Sequence, residues 1–125
     1  RTLLLPGDLE LSGLQTLLAQ RSVKCHVAMA PHHGSMNSDP QALLAWCQPK
    51  LVVISGGRRR VSEASVADYI ASGTLQLART DRHGAIRVRV SEQTFTWQHW
   101  EEGDWVAIPP TAIRVGEVRA VEARH

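Results

Sequence analysis

The chain has 125 residues, of which 43% are hydrophobic and 21% are charged, a balance typical of globular domains rather than disordered chains. No apolar run approaches the roughly 18–20 residues of a membrane-spanning helix, and no signal peptide is visible. The net charge of +2 is too small to indicate nucleic-acid binding by itself. The length, and an apolar stretch that follows Arg1 directly, predict a single domain or a part of one.

Strands and helices are predicted to alternate along most of the chain. Helices are indicated by the spacing of leucines, by Asp39–Pro40 as a helix start and by Ser62 as a cap. Strands are indicated by apolar or alternating runs. The predicted strands cover residues 2–5, 23–30, 51–55, 75–78, 85–90, 94–100 and 105–108, and the helices cover 9–20, 40–48 and 62–71. This order predicts a layered α/β domain whose late strands are antiparallel and lie at a sheet edge. Residues 111–124 fit a helix or a strand equally well.

Basic residues and cysteines each leave two interpretations open. Twelve of the 14 basic residues are arginines, with a run at Arg58, Arg59 and Arg60, and a guanidinium group can bind phosphate through two hydrogen bonds. The commoner explanation of such a run is a solvated surface.

Cys25 and Cys47 either pair in an oxidising compartment or lie buried as small apolar groups, and an isolated pair favours burial. Their spacing fits no zinc-ligand pattern.

Two chain breaks that follow strands carry polar residues. The first is Pro6-Gly7-Asp8, and the second runs from Pro31 to Ser35 with His32 and His33 at its centre. In an open α/β sheet, ligands bind outside the carboxyl ends of the strands, where these two loops would meet. A carboxylate and imidazoles gathered there make a divalent-metal site. Taken singly, Asp8 fits a cap of the helix near Leu9 and the histidines fit an exposed loop, but the paired pattern favours the site.

Four sequence motifs resemble those of a known protein family. The segments LLLPGDLE, PHHGS, PKLVVISGG and LARTDRHGAIRV occur in the order and spacing of the metallo-β-lactamase-like domain of the ComEC family. These are the competence DNA-uptake channel proteins of bacteria. The resemblance runs from about residue 2 to residue 90, while residues 91–125 match no motif and read as a divergent C-terminal extension.

The resemblance implies a fold and a chemistry. The fold is the C-terminal half of an αββα metallo-β-lactamase-like sandwich, a mixed sheet with flanking helices. Asp8 corresponds to the family's metal-ligand aspartate, and the HHGS loop supplies a histidine ligand. Both His32 and His33 are candidates for the catalytic and metal-binding roles, and the resemblance leaves open which binds the metal and which contacts substrate. Zinc or manganese would activate a water for attack on a phosphodiester. Ser35 of the same loop would contact the substrate, and the phosphate chemistry of arginine gives the run at 58–60 the same predicted role.

The chain departs from the family pattern in two places. The HxHxDH metal motif is absent among its six histidines, so the metal site is expected to be incomplete without the N-terminal half of the domain. The arginine run at 58–60 stands where the family has a histidine-containing loop. A degenerate, non-catalytic domain that binds single-stranded DNA or serves as a channel scaffold is therefore an alternative, and a small-molecule phosphoesterase is a third. The expected partners are single-stranded DNA, the N-terminal half and a membrane channel, on the extracytoplasmic side of an inner-membrane protein.

Several aromatic side chains lie outside these motifs. His83 is predicted to be a solvent-exposed turn residue within 79–84, because Asp81 and Gly84 favour a turn. Three tryptophans, at positions 97, 100 and 105, could stack on bases, but the alternation of their strands favours the edge of a small core. Strand alternation also puts His26 and Ala28 on one face and Cys25 on the other.

Overall fold

In the computed structural model of the protein, the structure describes residues 1–57, 61–71 and 76–107. Two sheets and four α-helices make up this part of the chain. The strands are β1 (Leu3–Leu4), β2 (Val27–Met29), β3 (Leu51–Ile54), β4 (Gln76–Arg79), β5 (Ile86–Val90), β6 (Phe95–Glu101) and β7 (Asp104–Ala107), and the helices are α1 (Leu11–Leu18), α2 (Pro40–Cys47), α3 (Glu63–Ala71) and α4 (Thr80–His83). Two short 3₁₀ segments, Pro31–Gly34 and Met36–Ser38, lie between β2 and α2.

The first four strands form a parallel sheet in the order β1-β2-β3-β4. All four side chains of β3 are buried, as expected of a strand covered on both faces. Helices cover one face, because Leu4, Ala28, Val52 and Leu77 share a register row and pack in the same clusters as apolar residues of α1, α2 and α3.

The last three strands form a separate antiparallel sheet in the order β5-β6-β7. It packs on the other face of the parallel sheet, where one apolar cluster contains Val27, Leu51, Val53, Ala78 and Trp97. The indole N–H of Trp97 donates to Gln76 Oε1 at 2.9 Å, which links the two sheets by a polar contact as well. The layer order is therefore helices, parallel sheet, antiparallel sheet.

This arrangement confirms the α/β class and corrects the expected sheet. The late strands were expected at the edge of one mixed sheet, but they form their own sheet. The physical reason is the alternation in β5, which gives Ile86 and Val88 one shared apolar face that packs with the Val27 face of the parallel sheet. The fourth layer of an αββα sandwich stays a prediction.

Several element boundaries also differ from expectation. Asp39 caps α2 as predicted, since its carboxylate accepts the N–H of Ala42 at 3.2 Å, and Ser62 accepts the N–H of Ser65 at 3.4 Å. Helix α1, however, begins at Leu11 rather than residue 9, with Glu10 as its N-terminal flanking residue, so Asp8 is not its cap. Expectations for residues 58–60, 72–75 and 108–125 lie outside the described residues. Within the described ranges, no helix is both long and apolar enough to cross a bilayer.

Candidate functional site

The loops that follow β1 and β2 meet at the carboxyl ends of the parallel strands, as the sequence predicted for Asp8 and the histidines. This end of the sheet is called the sheet edge below. The backbone N–H of His32, after β2, donates to the carbonyl oxygen of Gly7, after β1, at 2.9 Å. Asp8 is therefore next to a residue bonded directly to the histidine loop. Its side chain is exposed, and its carboxylate has no hydrogen bond or ion pair to any residue in the described ranges.

The histidine loop has an unusual backbone. His32, His33 and Gly34 all have positive φ angles, of 43°, 58° and 78°, in succession. Left-handed backbone costs a non-glycine residue roughly 1 kcal/mol or more and is often retained where a site needs it. At Gly34 there is also a packing reason, because a Cβ there would lie 3.0 Å from Cγ2 of Ile54.

The imidazole of His33 is held by the loop after β3. Its Nδ1 lies 2.6 Å from the carbonyl oxygen of Ser55. A carbonyl oxygen only accepts hydrogen bonds, so Nδ1 carries the proton and Nε2 of the neutral ring keeps its lone pair. The residue is exposed, and Nε2 has no partner in the described part of the chain. His33 thus presents a ring nitrogen without a partner among the described residues.

His32 is held in a similar way by a carboxylate. Its Nδ1 lies 2.7 Å from Oε1 of Glu10, within ion-pair distance, and its Nε2 has no partner among the described residues. The pKa of Glu10 is lowered by a hydrogen bond with Ser35 and by the His32 contact, against the opposing effect of burial. A carboxylate behind an imidazole is the arrangement that orients histidine ligands of metals.

Sequence reasoning missed Glu10. The signal was present, since Glu10 follows Asp8 by two residues in the same polar loop. Ser35, predicted to contact substrate, acts within the loop: its Oγ accepts the N–H of Asn37 at 3.2 Å and interacts with Glu10. Its role toward a substrate stays a prediction. The arginines at 58–60, given the same role, lie outside the described residues.

Thr80, which directly follows β4, binds the loop after β3 through hydrogen bonds. Its hydroxyl accepts the N–H of Gly56 and donates to the carbonyl oxygen of Gly56, both at 2.9 Å. Gly56 is also closely packed, because a Cβ there would lie 2.8 Å from Val61 and 3.8 Å from Cβ of His33. Thr80 therefore fixes the main chain next to the carbonyl that holds His33, a role that the expected turn at 79–84 did not reveal.

Arg79, at the end of β4, is buried and only 8% exposed. Its guanidinium group binds two carboxylates, with Nη2 at 2.7 Å from Asp81 and at 2.8 Å from Glu63. These pairs lower the pKa values of both carboxyl groups and raise the pKa of Arg79. Since its donors are occupied, Arg79 is a structural ion-pair residue and is not free to bind phosphate.

The prediction of a solvent-exposed His83 is wrong. The ring is half-buried and makes edge-to-face contacts with Trp97 and His99, with ring centroids 5.6 and 6.0 Å apart. Its Nδ1 lies 3.0 Å from both the backbone nitrogen and the oxygen of Arg79, because residues 80–83 form a helical turn that folds the ring back. Burial lowers the pKa of His83. The ring packs between the two sheets rather than in the site.

The other residues singled out in the sequence lie away from the site. His26 contacts Arg1 and the backbone N–H of Thr2 at the amino end of β2, the edge of the sheet opposite His32. Trp97 is buried at 5% exposure, as the core interpretation expected. Trp100 is exposed and contacts Trp105 edge-to-face.

The side chains at this sheet edge are of types that can bind a metal ion, but they are too few for a complete site. Two free imidazole nitrogens and an unpartnered carboxylate are ligand types that zinc and manganese accept. Among the described residues, however, no three histidine, cysteine, aspartate or glutamate side chains come together as a metal-binding group. The described residues alone therefore do not make a complete coordination shell.

Comparison with known proteins gives one relationship. The chain is 29% identical over 112 residues to ComE operon protein 3 of Bacillus subtilis (strain 168). The match covers 86% of this chain and 14% of that protein, so the chain spans a small part of its relative's length. No family model matches the chain, and no solved structure matches it.

Proposed function

We propose that this chain forms one side of a metal-dependent phosphodiester-hydrolysing site in a protein of bacterial DNA uptake, with the metallo-β-lactamase-like fold that its motifs resemble. The observation that carries the proposal is the matched tethering of His32 and His33. Each ring is held through Nδ1, by Glu10 and by the Ser55 carbonyl, and each leaves Nε2 free at the edge that also holds Asp8.

The residues of the chain have distinct tasks in this proposal. His32, His33 and Asp8 would hold zinc or manganese, together with ligands from another part of the domain. Glu10 and the Ser55 carbonyl would keep the two rings in one tautomer and orientation. The bound ion would supply Lewis-acid polarisation and lower the pKa of a water. Ser35 and the arginine run at 58–60 would contact phosphate.

The role in DNA uptake rests on the motifs and on the match to ComE operon protein 3. We infer that the chain works within a longer protein of the same kind, which would also supply the missing ligands and a membrane channel. Single-stranded DNA at the extracytoplasmic side is the substrate class that this placement implies. The site would act on the strand that does not enter the cell.

The test uses the intact protein as its gene encodes it. Hydrolysis of single-stranded DNA is measured with added Mn²⁺ or Zn²⁺ for the wild type and for His32→Ala and His33→Ala. We expect each substitution to reduce the rate by about 100-fold or more. His26→Gln is the matched control, because His26 lies at the opposite edge of the sheet, and its rate should equal that of the wild type.

Two other outcomes would replace this proposal. Salt-sensitive binding of single-stranded DNA with no hydrolysis under any metal would indicate the non-catalytic alternative. Hydrolysis of small phosphodiesters but not of DNA would indicate a small-molecule phosphoesterase.

A further inference from the structure

The two cysteines of the chain lie against each other. Cys25 directly precedes β2, and Cys47 is the last residue of α2. The backbone N–H of Cys25 donates to the carbonyl oxygen of Cys47 at 2.8 Å. A direct main-chain hydrogen bond keeps the two residues close together, and disulfides require Cα atoms roughly 4.4–6.8 Å apart.

The thiols themselves are also in contact. The Cys47 thiol interacts with the Cys25 sulfur, which lowers the pKa of Cys25 and raises the pKa of Cys47. Both residues belong to the same apolar cluster, with Leu14, Ala28 and Leu43 around them. Cys25 is 5% exposed and Cys47 is fully buried. The two thiols, which are both free in this structure, thus lie side by side in one cluster, next to a direct main-chain hydrogen bond.

We propose that Cys25 and Cys47 form an intrachain disulfide that closes the segment carrying both candidate metal-ligand histidines. That segment contains β2, His32, His33 and the whole of α2. A covalent link between its ends restricts the unfolded chain, and it also fixes the end of α2 to the start of β2. The bridge thus stabilises the scaffold of the histidine loop without touching the loop itself.

The oxidation requires a disulfide donor, either a small disulfide such as oxidised glutathione or a thiol–disulfide oxidoreductase. One thiolate of the pair attacks the donor and releases its first thiol, which leaves a mixed disulfide. The second thiolate attacks the protein sulfur of that mixed disulfide and releases the second thiol. The two cysteines lose two protons and two electrons, and the donor takes up both. Because both thiols are buried in the folded chain, the exchange takes place during folding, before α2 packs on β2.

The test is oxidative refolding of the reduced, unfolded protein in a mixture of reduced and oxidised glutathione. The product is then denatured and treated with iodoacetamide, and its mass is measured. We expect no alkylation of Cys25 or Cys47 unless a reductant is added first, and a mass two daltons below that of the reduced protein. Alkylation of both residues without reductant would overturn the proposal.

Thermal unfolding gives a second readout that is independent of hydrolase activity. The oxidised wild type should unfold about 10 °C above the reduced wild type. The double variant Cys25→Ala/Cys47→Ala is the control, and its midpoint should not respond to reductant. Equal midpoints for oxidised and reduced wild type would show that the cysteines act only as small buried apolar groups.

Discussion

The imidazole of His33 donates a hydrogen bond from Nδ1 to the main-chain carbonyl oxygen of Ser55, across 2.6 Å. This contact joins the loop after β2 to the loop after β3. Its two ends are supported independently, by the left-handed turn at His32–Gly34 and by the hydroxyl of Thr80 on the neighbouring Gly56. The position of the ring therefore depends on groups from three strand ends, and the supports can be tested separately.

Replacement of Thr80 by valine should destabilise the protein by about 1–3 kcal/mol, because both main-chain groups of Gly56 lose their partner. Thr80→Ser keeps the hydroxyl and should cost less than about 1 kcal/mol. Urea unfolding of the two variants beside the wild type measures the difference. Equal losses for valine and serine would show that the hydroxyl contributes nothing.

Replacement of Gly34 by alanine should cost about 1–3 kcal/mol of folding free energy. Two effects add: the φ of +78° is strained for alanine, and its Cβ would lie 3.0 Å from Ile54. Gly57→Ala is the matched control, since a Cβ there meets no atom within 4 Å, and its stability should be within about 0.5 kcal/mol of wild type. A neutral Gly34→Ala, measured by denaturant unfolding, would contradict the described loop geometry.

Asp81→Asn should be strongly destabilising, by about 3 kcal/mol, because it removes a buried partner of the Arg79 charge. The side chain of Asp81 is 5% exposed, whereas that of Glu63 is 67% exposed. Glu63→Gln should therefore cost less than about 1 kcal/mol. If the two variants unfold at the same denaturant concentration, the ion pairs contribute equally and the burial argument fails.

Acidification should weaken the protein partly through Glu10. Its pKa is lowered in the folded state by Ser35 and His32, so its contribution to stability is complete above the unfolded pKa near 4.5 and disappears as the pH falls through the folded value. Glu10→Gln has no such titration, and its stability should fall less than that of the wild type between about pH 5 and pH 3. Parallel pH profiles for the two proteins, from unfolding at each pH, would show that Glu10 is not coupled to folding.

Much of the site was predictable because parallel strands bring their carboxyl ends together. The loops of Asp8 and of His32 and His33 could therefore be placed at one edge from local patterns alone. Glu10 and Thr80 could not, because their contacts join residues 22 and 24 positions apart in the chain. The burial of Arg79 could not either, because it depends on Glu63, 16 positions away, as well as on Asp81, two positions away. The residues around Arg79 in the sequence do not show that its charge is neutralised inside the fold.

The sheet arrangement was harder to predict for a related reason. Alternation in β5 and β6 showed that one face is apolar, but not which surface would cover it. The same limit applies to His83. Asp81 and Gly84 predicted a turn, but they did not show that the ring of His83 packs against Trp97. Periodicity predicts the faces of an element, and packing between distant segments decides their partners.

The central claim is that the free Nε2 atoms of His32 and His33 bind a metal ion. Its most direct test is the metal content of the intact protein after equilibration with Zn²⁺ or Mn²⁺ and removal of unbound ions, measured by inductively coupled plasma mass spectrometry. The account predicts bound metal in the wild type and in His26→Gln, and its loss in the double variant His32→Ala/His33→Ala. Equal metal content in the double variant and the wild type would contradict it.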